Sequence, residues 1–428
     1  MATSLNSTSS QLELPQGDSQ STSLTSMKPI LTALSDDDAS AASVLVRPVE
    51  TASHTEPSRS PSIGSKRRRS TPDIICSYLW FVGITLPILF LDLLRLMLFA
   101  LALSPAFARM VWFYFGTAHR TSVRYGTESV RQTLDVYTSS NSTRRSSAVN
   151  SNPPNNEQKT ILFFCCGGAW TIGYKMWGAL LARVMVRTGM EIIVPDYRNY
   201  PGGTVADAVR DVQCALEWVQ QHYSSDCQIV LVGQSAGGHL LMTMLLRQAL
   251  QRQQPSVQGM IALAAPLQLD LLPATFRKHG MRQETIMNMF EDQIADYDPY
   301  DLLRRLQEEH ITSDATPAHE LLPPIALYHG TWDRTVPIAG SLAFLERFQQ
   351  ARNSRISFET YEGWSHTDPI LEGPAAADHR FHLDIFRRMV EWTTTDGLAW
   401  PSNEQDQAIL RRMCPQAMVA VARWCVPF

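Results

Sequence analysis

The run Gln228-Ile229-Val230-Leu231-Val232-Gly233-Gln234-Ser235-Ala236-Gly237 carries an apolar strand-like stretch into a serine, and a helix-like stretch opens near Gly238. Branched apolar residues suit a buried strand, and small residues on both sides of the serine let strand and helix pass closely at a sharp turn. A serine on such a turn sits in strained backbone with its Oγ clear of the sheet and the helix N-terminus aimed at the reaction centre. G-x-S-x-G alone recurs in ordinary turns. The strand before it and the helix after it are what make Ser235 a candidate nucleophile.

A serine nucleophile needs a base and an acid, and on this kind of turn they follow in the order serine, acid, histidine, each on a loop after a strand. Residues 322–330 read as a buried strand, and Thr331-Trp332-Asp333-Arg334 places Asp333 just past its end. Ile356-Ser357-Phe358-Glu359-Thr360-Tyr361 alternates like a strand, and the loop after it supplies His366 as the base. Asp333 has a competing reading as the cap of a helix starting near Ile338, and Asp368 stands as the backup acid. His329 reads as a packed core histidine, while His379 and His382 read as one helix face rather than metal ligands. Upstream, Ile161-Leu162-Phe163-Phe164-Cys165-Cys166 ends in Gly167-Gly168-Ala169-Trp170. The N–H groups of Gly167, Gly168 and Ala236 form the expected oxyanion hole, and this chemistry requires no metal or organic cofactor.

Strands at 132–137, 160–165, 191–195, 228–232 and 259–264 alternate with helices at 174–187, 205–222 and 236–252, which implies a mainly parallel sheet covered on both faces. Residues 267–318 lack a clear strand and read as a helical cap. Phe276, Met281, Met287, Met289 and Phe290 there either cover a lipophilic group or simply pack beneath a lid.

The chain resembles the prenylcysteine (isoprenylcysteine) methylesterases of the α/β-hydrolase superfamily from about Tyr114 to Phe428. The resemblance rests on Gly167-Gly168-Ala169-Trp170-Thr171-Ile172-Gly173-Tyr174-Lys175, on Asp196-Tyr197-Arg198-Asn199-Tyr200-Pro201 and on Gly233-Gln234-Ser235-Ala236-Gly237. It extends to Leu321-Leu322-Pro323-Pro324, Ser365-His366-Thr367-Asp368 and Pro427-Phe428. It implies an α/β-hydrolase fold, with a prenylated protein or prenylcysteine methyl ester as substrate. Cys166 stands where many esterases carry histidine, and residues 139–156 form a Ser/Asn-rich insertion.

Of the 428 residues 44% are hydrophobic, enough for one large core, and the net charge of −4 gives no support for nucleic-acid binding. Seven cysteines without regular spacing suit reduced, packed thiols and a cytosol-facing domain. Residues 1–72 read as a disordered Ser/Thr-rich tail ending in the cluster Lys66-Arg67-Arg68-Arg69. Residues 73–113 read as a membrane-associated helical segment, with apolar runs at 74–91 and 96–108 around Asp92 and Arg95. These form one tilted span, a hairpin or an in-plane insertion, with membrane lipid as partner and endoplasmic reticulum or Golgi as the expected site. Arg109, His119, Arg120 and Arg124 read as a basic flank beyond it. Residues 114–428 are the expected catalytic domain.

Overall fold

Branched and aromatic residues in short runs build an eight-stranded sheet in the order β1-β2-β4-β3-β5-β6-β7-β8. The computed structural model describes residues 86–139, 159–223, 226–273, 283–311, 318–350, 355–394 and 397–426. Helices α1 (Leu86–Ala102) and α2 (Ser104–Gly116) come first. The strands are β1 (Arg120–Arg124), β2 (Thr133–Tyr137), β3 (Thr160–Cys165), β4 (Glu191–Pro195), β5 (Gln228–Gln234), β6 (Gly259–Leu263), β7 (Ile325–Gly330) and β8 (Ile356–Tyr361). Between and after them run α3 (Ala179–Met185), α4 (Val205–His222), α5 (Ala236–Leu250), α6 (Gln283–Met289), α7 (Pro299–Ile311), α8 (Ile338–Gln350), α9 (Arg380–Trp392) and α10 (Gln416–Cys425). Strands β3 to β8 pair in parallel, while β2 pairs antiparallel with both β1 and β4.

The central strands are buried on both faces, as continuous apolar runs require. Their period of two splits the core. Phe163 and Leu231 pack with α4, α5 and α8 residues such as Val212, Leu240 and Phe344, whereas Leu162, Phe164, Val230 and Val232 pack with Leu181, Phe381 and Ile385 of α3 and α9. The α4 start is fixed by a reciprocal cap: the Thr204 hydroxyl accepts from the Asp207 N–H, and the Asp207 carboxylate accepts from the Thr204 N–H.

One reading needs correction. The helix expected at 174–187 is a short 3₁₀ turn at Lys175–Gly178, then α3, then a second 3₁₀ turn, because Gly178 lies hard against Val194 and Phe164. Arg120 and Arg124 belong to edge strand β1, and Arg120 pairs with Asp135 at 3.2 Å. Helix α1 runs unbroken through Asp92 and Arg95, which meet at 3.5 Å on one face, and the break falls at Leu103 before Pro105. Among the described residues no single helix is long and apolar enough to cross a membrane. Residues 90–102 and 104–116 pass that test only together, bent by 65°. Residues 74–85 of the apolar run, the tail and the Ser/Asn-rich insertion lie outside the described residues, as do Phe276 and Met281.

Met289 and Phe290 pack into the main core, with the Phe290 ring centroid 5.5 Å from that of Trp170. For these two the packing role holds.

Candidate active site

Parallel strands open a crevice at their carboxyl ends, and that is where the predicted residues gather: Gly167 after β3, Ser235 after β5, Asp333 after β7 and His366 after β8. Ser235 has φ 52° and ψ −125°, the strained turn its sequence context predicts. The turn is over-determined by its neighbours. The Ser235 N–H donates to Leu263 O at 2.8 Å, and the Ser235 carbonyl accepts from the His239 N–H at 3.0 Å.

Asp333 and His366 meet directly, with Nδ1 of the imidazole 2.7 Å from Asp333 Oδ2. Asp333 Oδ1 accepts from the N–H groups of Thr335 and Val336, both at 2.9 Å. His329 does more than fill the core. Its Nε2 lies 3.3 Å from the same Asp333 Oδ2 and 3.0 Å from Val336 O, and its Nδ1 meets Ser341 Oγ at 3.0 Å. Burial alone would push the Asp333 carboxyl up, but facing His366 and accepting hydrogen bonds from both histidines holds it well below the usual carboxylate range. Asp368 is not on the imidazole. It accepts from the Ser365 N–H at 3.0 Å and from Arg423 Nε at 2.8 Å.

Among the described hydrogen bonds none joins His366 to Ser235 Oγ. Its Nε2 instead lies 3.4 Å from the side-chain amide of Gln234, the residue before the serine. Catalytic bonds of this kind are often long in the free enzyme and tighten when substrate arrives.

Gly167 stands against the serine: a Cβ on it would come within 2.8 Å of Ser235 Cβ. Gly168 has φ 135°, a conformation that L side chains rarely adopt, and turns the chain so that its carbonyl accepts from the N–H groups of Thr171 and Ile172. The carbonyl of Cys166 accepts from the Tyr197 hydroxyl at 2.8 Å, so a β4 neighbour fixes the loop where histidine is found elsewhere. Asn199 Nδ2 and Arg131 both donate to Gly173 O, and Arg131 also pairs with Asp196 at 2.9 Å. Trp170 Nε1 donates to His239 Nδ1 at 3.2 Å, tying the loop to α5. These latches were missed in the sequence, although the D-Y-R-N segment that supplies three of them was visible as a motif. The Cys166 thiol is pushed well up by burial, which leaves it inert as a nucleophile.

His379 caps α9 and His382 lies in its first turn, their rings edge to face at 5.2 Å, and the described residues contain no cluster of three metal-ligating side chains.

An alpha/beta hydrolase fold model matches residues 162–367, the stretch from β3 to just past His366. The chain has the α/β-hydrolase fold. This α/β-hydrolase is 31% identical to a probable isoprenylcysteine alpha-carbonyl methylesterase of Oryza sativa, over 66% of each chain. It is 28% identical to an isoprenylcysteine alpha-carbonyl methylesterase of Arabidopsis thaliana, over 78% of this chain and 76% of that one. Its fold is similar to that of esterase B from Lactobacillus rhamnosis, with a TM-score of 0.51 at 16% identity over 73% of this chain and 98% of that one. Family and relatives together make this α/β-hydrolase a carboxylic ester hydrolase.

Proposed function

We propose that the protein is a membrane-associated serine carboxylesterase that removes the methyl group from C-terminal S-prenylcysteine methyl esters. The observation that carries the chemistry is the chain of contacts from buried Asp333 through His366 to the residue beside Ser235. His366 takes the proton of Ser235 as Oγ attacks the ester carbonyl, and Asp333 holds the imidazole in the right tautomer and stabilises the imidazolium. The N–H groups of Gly167, Gly168 and Ala236 receive the oxyanion. The intermediate expels methanol, which takes its proton from His366, and a water molecule hydrolyses the acyl-enzyme by the same steps in reverse.

The lipophilic substrate is supported by the isoprenylcysteine methylesterase relatives and by the loops that carry the site residues. Ile172 on the oxyanion loop and Trp332 beside Asp333 are 63% and 65% exposed, and they offer apolar surface close in the chain to the site residues. Membrane association is supported by the exposed apolar faces of α1, α2 and α10, where Met97, Leu101, Trp112, Phe115 and Trp424 face outward. The proposed location is the cytosolic side of the endoplasmic reticulum or Golgi, in keeping with free thiols at the described cysteines.

The test is the ratio of kcat/KM for farnesylcysteine methyl ester over the unprenylated cysteine methyl ester. Each methylene taken from water contributes about 0.8 kcal/mol, so even partial burial of the prenyl chain raises that ratio a hundredfold or more, on the order of 3 kcal/mol. Equal values would leave a general esterase of lipophilic substrates.

A further inference from the structure

We propose that Asp368 and Arg423 are positioning residues, an ion pair through which the C-terminal helix α10 holds the His366 loop in its working geometry. The inference rests on His366 being the base, as proposed above. Asp368 is only 1% exposed, yet it sits two residues from His366 and makes no contact with it. Its two oxygens are spent elsewhere. Oδ2 accepts from the Ser365 N–H, which fixes the backbone immediately before the histidine, and Oδ1 accepts from Arg423 Nε at 2.8 Å, across 55 residues of chain.

The loop is tied on its far side as well, where Thr367 Oγ1 donates to Glu372 Oε1 at 2.8 Å and the Asp368 carbonyl accepts from the Gly373 N–H. Glu372 is fully buried, and burial together with the neighbouring Asp368 pushes its carboxyl up to about 8. It therefore holds a proton at neutral pH and does not compete with Asp368 for Arg423. Arg423 is partly exposed on α10, and the Val419, Ala422 and Cys425 side chains of the same helix pack with α1 and α2. Removing the guanidinium leaves a buried carboxylate with one backbone donor, and the loop must move to rehydrate it. Because the His366–Asp333 bond is already at 2.7 Å, such a movement misplaces the imidazole.

Purified full-length Arg423→Gln, Arg423→Lys, Asp368→Asn and the Asp368→Asn/Arg423→Gln double variant are assayed on one short-chain ester, with active sites counted by exhaustive fluorophosphonate labelling. The pair predicts a loss of about tenfold in kcat per active site, with KM within twofold, for Arg423→Gln and for Asp368→Asn. The double variant loses no more than either single one, and Arg423→Lys keeps most of the parental kcat. Parental kcat per active site in Arg423→Gln overturns the proposal, whether or not the melting temperature falls, because a purely structural staple changes only the amount of folded enzyme. Losses that multiply in the double variant overturn it too. His366→Ala, run alongside, identifies a failure of the underlying reading: parental turnover there removes the base itself, a result that no Arg423 variant produces.

Discussion

At the residue scale the site turns on which carboxylate serves the imidazole. Asp333 has its side chain fully buried, four donors around it and a carboxyl held far below its ordinary range. Asp333→Asn presents an amide to His366 Nδ1 and favours the wrong tautomer, and kcat is expected to fall by about 10⁴-fold. Asp368→Asn is expected to cost far less, about tenfold. The reverse ranking in steady-state kinetics would show the wrong acid has been chosen. Ser235→Ala removes the nucleophile with little packing loss, so turnover falls by several orders of magnitude at unchanged melting temperature. Gly167→Ala sets a methyl against Ser235 Cβ and Gln234, and the expected outcome is near-complete loss of kcat in a folded protein, checked by circular dichroism beside the assay. That Ser235, Asp333 and His366 each follow a strand end was legible in the sequence, because the apolar run before each is unmistakable. His329 was read only as core, since nothing in Leu327-Tyr328-His329-Gly330 shows that the β7 pleat turns the ring toward the acid four residues on.

At the element scale, the buried parallel strands were legible nearly to the residue, because a strand hidden on both faces must be apolar throughout. Strand β1, Arg-Thr-Ser-Val-Arg, was not, because an antiparallel edge exposes alternate side chains and can carry arginines whose partners, such as Asp135, lie on another strand. Asp92 and Arg95 pair within α1 and the α1–α2 break falls before Pro105, because a helix tolerates an i,i+3 ion pair and does not tolerate a proline in its interior. The loop between β8 and α9 gives a prediction of its own. Glu372, facing Asp368 and Arg423, titrates near 8 in the folded protein against an ordinary value of 4.5. Between those values the native state holds a proton that the unfolded state lacks, so this group's contribution is fully present below about 4.5 and is lost as pH rises through about 8. Glu372→Gln keeps the acceptor for Thr367 and cannot ionise. Urea denaturation of parent and variant from pH 5 to 9 is expected to show the parent losing stability relative to the variant across that window. A constant difference would show that Glu372 does not titrate there.

At the scale of the whole molecule, the proposed membrane association raises the question of which side of the membrane the catalytic crevice would face. Helix α2 is anchored from below by Ala106, Met110 and Tyr114, which are buried with α3 and α10 residues, while Trp112 and Phe115 face outward at 81% and 71% exposure. An element with one face in the protein core and the other apolar and uncovered suits insertion in the plane of a bilayer. With such an insertion, or a hairpin, the chain on both sides of residues 74–108 stays cytosolic. The two sequons, Asn6-Ser7-Thr8 and Asn141-Ser142-Thr143, report on this, and both lie outside the described residues. Glycosylation needs lumenal exposure. Protein expressed in eukaryotic cells is therefore expected to show the same mobility before and after glycosidase treatment. A shift that disappears in Asn141→Gln would mean that the chain crosses once with the crevice on the lumenal side, out of reach of prenylated proteins in the cytosol. The prenylcysteine assignment would fall with it, whereas the ester chemistry of Ser235, His366 and Asp333, which depends on no membrane, would stand.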